Sequence, residues 1–219
     1  MAQIKLNATY GLTGTLPAVS GANLTSLTSG NLTGALPAIS GASLTTLNAS
    51  NVSSGTLNAA RYTAGGITEA DQWRVHTGFT NAADPITSNW ERNDSTGFEK
   101  IGTGMSESSG IFTFPSTGVY FIHYGFMVSG TGNNRACNMG SKVTTDDSTY
   151  TWVAFAQASI KNVTSITYQC AAGSYFFDVT DTSTHKCQFN FNKEGDNVNY
   201  NGATNENYNF HTFIRLGDT

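Results

Sequence analysis

The stretch GVYFIHYGFMVSG, residues 118–130, decides the fold because both of its faces are apolar. Alternation along an extended strand places Val119, Phe121, His123 and Met127 on one face and Tyr120, Ile122, Tyr124, Phe126 and Val128 on the other. An antiparallel strand with one wet face alternates apolar with polar residues instead. One face therefore packs in a sandwich core, and we expect a neighbouring subunit to cover the other. We assign the face that carries Tyr120, Ile122, Tyr124 and Phe126 to the subunit interface.

Short β segments with turn-forming connections surround this strand from about Thr68 to the end of the chain. The connections are rich in Gly, Asn and Asp, as turns between strands usually are. Such a series predicts an all-β sandwich or jelly roll. The predicted strands are Trp73–Phe79, Gly97–Gly102, Ile111–Phe114, Gly118–Ser129, Arg135–Thr144, Tyr150–Ala158, Ser165–Ala171, Ser174–Val179, Lys186–Asn192 and Tyr208–Leu216.

Composition narrows the possible partners of the chain. The 219 residues carry a net charge of −4, and only 12% of them are charged. No basic stripe is present, so we expect no nucleic-acid partner. No apolar run of ~18 residues occurs, so we expect no membrane insertion. The three cysteines, Cys137, Cys170 and Cys187, have wide spacings and are predicted to be free thiols on strands.

The first quarter of the chain is a repeat without charge. LTGTLPAVSGANLTSLTSGN, residues 12–31, is followed by LTGALPAISGASLTTLNASN, residues 32–51, and a partial third copy begins at Val52. A fixed 20-residue period indicates units that cannot bury their apolar side chains alone. Either several identical chains wind into a stalk, or the segment is a flexible tether. We divide the chain into an attachment segment (1–11), a repeat stalk (12–66) and a β knob (67–219).

The run from Pro85 to Phe126 resembles the globular head of complement-component-one-q within the tumour-necrosis-factor-like superfamily. The motif G-x-F-T-x-P-x-x-G-x-Y-F carries the resemblance through Gly110, Phe112, Thr113, Pro115, Gly118, Tyr120 and Phe121, together with Pro85, Ile86 and Phe98. YNFHTFIRL, residues 208–216, is similar to the last strand of that family. The resemblance implies a ten-stranded jelly roll that assembles as a homotrimeric knob on a stalk.

The repeat itself is similar to the GTLPA…G-x-x-L-T-x-L repeats of bacteriophage fibre proteins. That resemblance implies a virion protein on the tail or capsid surface, made in the host cytoplasm. The N-terminus would then contact other virion proteins. A collagen G-x-y stalk is absent, so the immune roles of animal relatives do not carry over.

No sequence motif points to catalysis. The chain lacks G-x-S-x-G, H-E-x-x-H and a phosphate-cradling glycine loop, so we expect no enzyme, cofactor or metal site. His123 on its apolar face is interpreted as structural rather than catalytic. Asp146 and Asp147 are interpreted as a solvated turn rather than a cation site.

Binding is the remaining class of function, and two loops are candidates. The family topology places 129–134 and 192–207 at the tip, away from the stalk. Amide, carboxylate and aromatic side chains suit carbohydrate hydroxyls, although a plain hydrophilic loop has the same composition. The candidate ligand-binding residues are Asn133, Asn134, Lys193, Asp196, Asn199, Tyr200 and Asn205.

The sequence thus predicts a short homotrimeric phage fibre, of tail or capsid, whose knob adheres to a host-surface glycan. The alternative is a capsid decoration or head-fibre protein that serves assembly or display and has no specific ligand. A lectin-like protein outside any virus is a third class that the residues leave open.

Overall fold

The computed structural model describes residues 66–161 and 164–219. The predicted attachment segment and the repeat stalk up to residue 65 lie outside the described residues. In the described part, the chain forms eleven β-strands and no α-helix. The strands are β1 (Ala70–Val75), β2 (Trp90–Arg92), β3 (Ser106–Ser108), β4 (Ile111–Thr113), β5 (Gly118–Gly130), β6 (Asn134–Thr144), β7 (Thr151–Ile160), β8 (Thr167–Val179), β9 (Lys186–Lys193), β10 (Val198–Tyr200) and β11 (Phe210–Gly217).

Two antiparallel sheets form a sandwich, which confirms the all-β prediction. The six-stranded sheet runs β10–β5–β11–β1–β2, and β8 pairs with the free side of β5 along its whole length. The five-stranded sheet runs β3–β4–β9–β6–β7. Strands β11 and β10 share one side of β5, because β11 pairs as far as Gly125 and β10 pairs from Val128 to Gly130.

The inner face of β5 lies in the core of its own chain, so the predicted subunit interface is wrong. Tyr120, Ile122, Tyr124 and Phe126 are each at most 1% exposed in a single chain. The inner faces of the five-stranded sheet and of β11 cover them, through Phe112, Met139, Phe189, Phe191 and Phe213. Side chains that are already buried within one sandwich have no surface left for a neighbour. The other face of β5 is the one that can meet another chain.

The predicted strands need three kinds of correction. Residues 97–102 form no strand, apart from a single bridge between Ala70 and Ile101. The short strands β2, β3 and β10 were not predicted. The two strands predicted between residues 165 and 179 are one strand, β8, which continues through Gly173. An added Cβ at Gly173 would lie 2.4 Å from the Tyr124 hydroxyl, so this glycine makes room for the tyrosine ring.

Strand register shows which loops share an end of the sandwich. At one end, Ala70 pairs with Ile214 and Val119 pairs with Gly217. At the other end, Gly130 pairs with Val198, Asn134 with Ile160 and Cys137 with Lys193. The connections 131–133 and 194–197, together with residues 161 and 164–166, therefore lie at the end opposite to the start of β1, where the sequence placed the tip.

Candidate binding and assembly surfaces

The outward side of the six-stranded sheet exposes aromatic rings. Phe121 on β5 lies opposite Phe176 on β8, with ring centroids 5.4 Å apart, and Phe176 is 68% exposed. His123 packs between Phe121 and Phe210, at centroid distances of 6.3 and 5.8 Å. We call this surface the apolar outer face and define it by Phe121, His123, Met127, Phe176 and Phe210. His123 is half-buried against these two rings, and the sequence analysis interpreted it as a structural residue.

A groove continues the apolar outer face toward the tip. It has a volume of about 400 Å³ and lies between β5, β8 and the segment that leads into β11. Its walls include Met127, Cys170, Tyr208 and Phe210. Cys170 is an exposed free thiol, whereas Cys137 and Cys187 are buried in the core, where burial raises the pKa of both thiols. The lining is mostly apolar, so the groove extends the same surface rather than forming a separate polar site.

A buried arginine limits the apolar outer face on the side of β1. Arg74 is 1% exposed, and its guanidinium donates to Glu91 Oε1 at 2.7 Å and to Asp94 Oδ1 at 3.1 Å. It also donates to Asn93 Oδ1 and Ser95 Oγ, both at 3.0 Å. Buried charge needs this degree of pairing, because an unpaired ion inside a protein is strongly destabilising. The loop that carries these partners covers the polar part of the sheet and leaves β5, β8 and β11 uncovered.

A polar cavity of about 870 Å³ lies at the tip, between the ends of β6 and β7 and the loop after β9. We call it the tip cavity and define it by Asn133, Asn134, Arg135, Ser159, Lys161 and Glu194. Asn134, at the start of β6, is hydrogen-bonded to the loop after β9. Its amide donates to Asp196 O at 3.0 Å and accepts from Gly195 N at 2.6 Å. Arg135 is solvent-exposed and donates to Glu194 Oε2 at 3.2 Å. The cavity therefore offers amides and two cations, one of which has a carboxylate partner.

The structure brings together only part of the predicted ligand set. Asn133 and Asn134 line the tip cavity, and Lys193 lies next to it, with its Nζ 3.8 Å from Asp196 Oδ1. Asn199, on β10, donates instead to Asn201 Oδ1 at 2.6 Å. Asn205 is exposed, but it is not part of the cavity lining.

Tyr200 is a core residue, so its prediction as an exposed stacking ring is wrong. The residue is 0% exposed, and burial raises the pKa of its hydroxyl well above the usual range. Its ring lies 4.9 Å from Phe79 and 4.8 Å from Phe191, and its hydroxyl donates to the Met139 sulfur at 3.3 Å. The alternation of β10 turns Tyr200 inward together with Val198, and that three-residue strand gave no sequence signal.

The acidic pair at the β6–β7 turn is structural. Asp146 Oδ1 accepts from Thr144 Oγ1, Ser148 N and Thr149 N at 2.7–2.9 Å, and these hydrogen bonds lower the pKa of its carboxyl group. Asp147 forms an ion pair with Lys186 at 2.6 Å. Within residues 66–161 and 164–219, no three His, Cys, Asp or Glu side chains are placed to hold a metal ion.

Comparison with solved structures identifies the fold. The Eiger tumour necrosis factor of S. frugiperda matches with a TM-score of 0.54 at 11% identity, over 70% of this chain and 96% of that one. Murine APRIL, from a crystal structure at pH 5.0, matches with a TM-score of 0.49 at 9% identity, over 68% of this chain and 98% of that one. The likeness to the Eiger structure, together with the two antiparallel sheets, gives the described domain the fold of a tumour-necrosis-factor-like jelly roll. No family model matches the sequence, and no curated protein does either.

The described residues contain no helix that is long and apolar enough to cross a membrane.

Proposed function

We propose that this chain is a non-enzymatic fibre protein of a virus particle, in which the jelly roll is a self-associating trimeric knob that adheres to the host surface. The apolar outer face is the observation that carries the proposal. Monomeric proteins rarely leave a continuous aromatic surface in water, and such surfaces mark contacts with other chains.

The chemistry of the apolar outer face suits a second copy of the same chain. Its defining residues include no Lys, Arg, Asp or Glu, and the outward positions of β5 and β11 carry no such residue. The charged residue on the outward side of β8 is Asp178, which lies opposite Val119 at the end of the face. A symmetric assembly brings equivalent residues of several copies close together, so a charge there would meet its own like charge. The resemblance in residues 110–126 implies three copies, and an uncharged aromatic face is compatible with that number.

The assignment to a virus fibre rests on the 20-residue repeat and its resemblance to phage fibre repeats. The jelly roll supports it, because a trimeric knob would give a wound stalk of three chains its register. The tip cavity supports adhesion, because it lies at the end opposite to the start of β1. Its amides and cations can bind the hydroxyl and carboxylate groups of a host-surface glycan.

Native mass in solution tests the assembly part of the proposal. Light scattering of the full chain should give three times the chain mass of 23.3 kDa at micromolar concentration. Exchange of Phe176 for aspartate should shift that mass toward one chain. A monomeric wild-type chain would contradict the trimeric knob.

Adhesion is tested separately, with the labelled full chain on cells that the virus infects. Arg135→Ala and Lys161→Ala should reduce binding, whereas Lys100→Gln, which removes one charge from an exposed residue that does not line the cavity, should leave it unchanged. Antibody against the chain should label the tail of virus particles. Labelling of the capsid, together with unchanged cell binding by all three variants, would favour the decoration protein instead.

A further inference from the structure

The outer side of the five-stranded sheet carries two aromatic rings that the proposed function does not use. Trp152 and Phe155 lie on the edge strand β7 and are 43% and 58% exposed. Their ring centroids are 4.7 Å apart, with an angle of 32° between the planes. This side of the sandwich points away from the apolar outer face, so assembly through that face leaves the two rings accessible. We call the surface of Trp152, Phe155, Lys142 and Asn190 the aromatic platform.

Neighbouring groups fix the rings against the sheet. The Lys142 ammonium lies 4.2 Å from the Trp152 ring centroid and donates to both carboxylate oxygens of Asp84, at 2.8 and 2.7 Å. Gly140 pairs with Phe155 across the strands and leaves the space that the rings occupy. A Cβ at Gly140 would lie 2.6 Å from Trp152 Cζ3 and 3.1 Å from Phe155 Cδ1. The platform is therefore preorganised, and its positive charge is neutralised within the chain.

A buried amide beside the rings lacks a partner. Asn190 pairs with Gly140 on the adjacent strand β9 and is 5% exposed. Its Oδ1 has no hydrogen-bond partner among the described residues, and it would lie 2.6 Å from the same Gly140 Cβ position that the Trp152 ring approaches. Asn138 lies on β6, two residues before Gly140, and its side chain is on the same outward side of the sheet. Its Oδ1 is also buried and has no hydrogen-bond partner among the described residues. Buried acceptors are normally satisfied, so ordered water is the expected partner of these two oxygens, and the surface beside the rings is polar as well as aromatic.

We propose that the aromatic platform binds a neutral sugar ring. The C–H face of a pyranose stacks on Trp152 and Phe155, because aromatic rings accept flat apolar surfaces. The exposed amide of Gln157, which lies opposite Asn138 on β6, is available to a sugar hydroxyl at the edge of the stack. The Lys142–Asp84 pair leaves no uncompensated charge at the platform, so a neutral sugar is favoured over an acidic one. This site is on the side of the knob, apart from the tip cavity.

The test uses the full chain and three neutral probes, maltotriose, lactose and mannotriose, with N-acetylneuraminic acid as the acidic comparison. Ligand-observed saturation-transfer NMR detects binding, and tryptophan emission locates it. Trp152 is the exposed one of the three tryptophans, whereas Trp73 and Trp90 pack against Phe112 in the core. At least one neutral probe should show saturation transfer and change the tryptophan emission. Trp152→Ala should weaken that binding by roughly tenfold or more, and Trp152→Phe should retain most of it.

A matched control is Phe98→Ala, which removes an equally exposed aromatic ring outside the platform and should leave the affinity unchanged. Gln157→Ala should reduce affinity several-fold while Trp152 keeps its emission spectrum in the free protein. The proposal is overturned if no neutral probe binds at millimolar concentration, or if Trp152→Ala binds as the wild type does. It is also overturned if Trp152→Ala changes the native mass, because a second copy then covers the platform. The mass of the unmodified chain tests the trimeric knob independently, so the two proposals can fail separately.

Discussion

Phe121 and Phe176 face each other across β5 and β8 on the outward side of the six-stranded sheet, while their sequence neighbours Tyr120 and Phe177 face the core. The two strands therefore carry aromatic residues on both faces. The inward rings are covered within one chain, whereas the outward Phe176 ring is left 68% exposed. This arrangement makes the outward pair the most direct test of assembly.

Phe176→Asp is expected to convert the assembled chain into monomers. The side chain is 68% exposed within one chain, so the change should alter the free energy of unfolding of that single chain by no more than about 0.5 kcal/mol. In an assembly the new carboxylates would be removed from water beside one another, which is strongly unfavourable. Native mass by light scattering measures the effect. Phe155→Asp, on the opposite sheet, is the control and should retain the wild-type mass; equal masses for all three proteins would exclude this face as the interface.

Stability is expected to fall as the pH drops below about 6.5, because of His211. This residue is 0% exposed, its ring centroid is 3.8 Å from that of Phe189, and neither ring nitrogen has a hydrogen-bond partner in the described residues. Burial keeps the pKa of His211 well below its usual value in the folded state. Below pH 6.5 the unfolded chain binds a proton that the folded chain does not, so unfolding becomes easier by up to about 1.4 kcal/mol per pH unit.

Denaturant titrations at pH 7 and pH 5 measure this effect at a fixed protein concentration. The free energy of unfolding of the wild type should decrease between the two values, and His211→Leu should remove most of the decrease. His76→Gln, at a half-buried position on the edge of the sheet, should keep it. The carboxyl groups whose pKa is lowered, Asp146 and Asp181, lose their contribution only below about pH 4, outside this window. A wild-type chain equally stable at both pH values would contradict the prediction.

The fold could be predicted because its determining features are local. Alternation in 118–130 and turn residues at regular intervals are sufficient to indicate a sandwich, and the G-x-F-T-x-P motif indicates its family of folds. Three of the four three-residue strands, β2, β3 and β10, were missed because they contain too few positions to show a period, whereas β4 was predicted as Ile111–Phe114. Residues 97–102 have a suitable composition for a strand, yet only Ile101 finds a partner, so the pattern alone was misleading.

The faces of β5 could not be assigned from sequence, because both are apolar and alternation does not say which one meets the second sheet. The distinction depends on distant residues such as Phe189 and Phe213, which cover only the Tyr124 side. The aromatic platform was missed for a related reason. A register irregularity between Ser141 and Lys142 shifts the pairing of β7, so that Trp152 and Phe155 share a face despite their odd spacing.

Tyr200→Ala is expected to reduce the free energy of unfolding by about 3–5 kcal/mol, because it removes a core ring between Phe79 and Phe191. Tyr200→Phe removes only the hydrogen bond to the Met139 sulfur and should cost about 1 kcal/mol or less. Denaturant titration measures both changes. Asn205→Ala, at an exposed position of the adjoining segment, should have no measurable effect. A Tyr200→Ala chain as stable as the wild type would show that this ring is not part of the core.

The last prediction compares two glycines that have similar backbone angles and different surroundings. Gly110 has φ = 85° in the two-residue turn between β3 and β4, and Gly97 has φ = 92° in a loop. A side chain is strained at either φ, at a cost of about 1–2 kcal/mol. An added Cβ at Gly110 would also lie 2.3 Å from Ile86 O, whereas nothing lies within 4 Å at Gly97.

Gly97→Ala should therefore show only the backbone strain, and Gly110→Ala should cost at least about 1 kcal/mol more. The difference between the two free energies of unfolding isolates the close approach of the β3–β4 turn to the chain at Ile86. The segment before β2 is held on both sides, because Ile86 O lies against the turn at Gly110 and Ile86 N donates to Phe189 O at 2.8 Å. Equal losses in the two variants would mean that the segment moves aside freely, and the turn would then have no part in holding it.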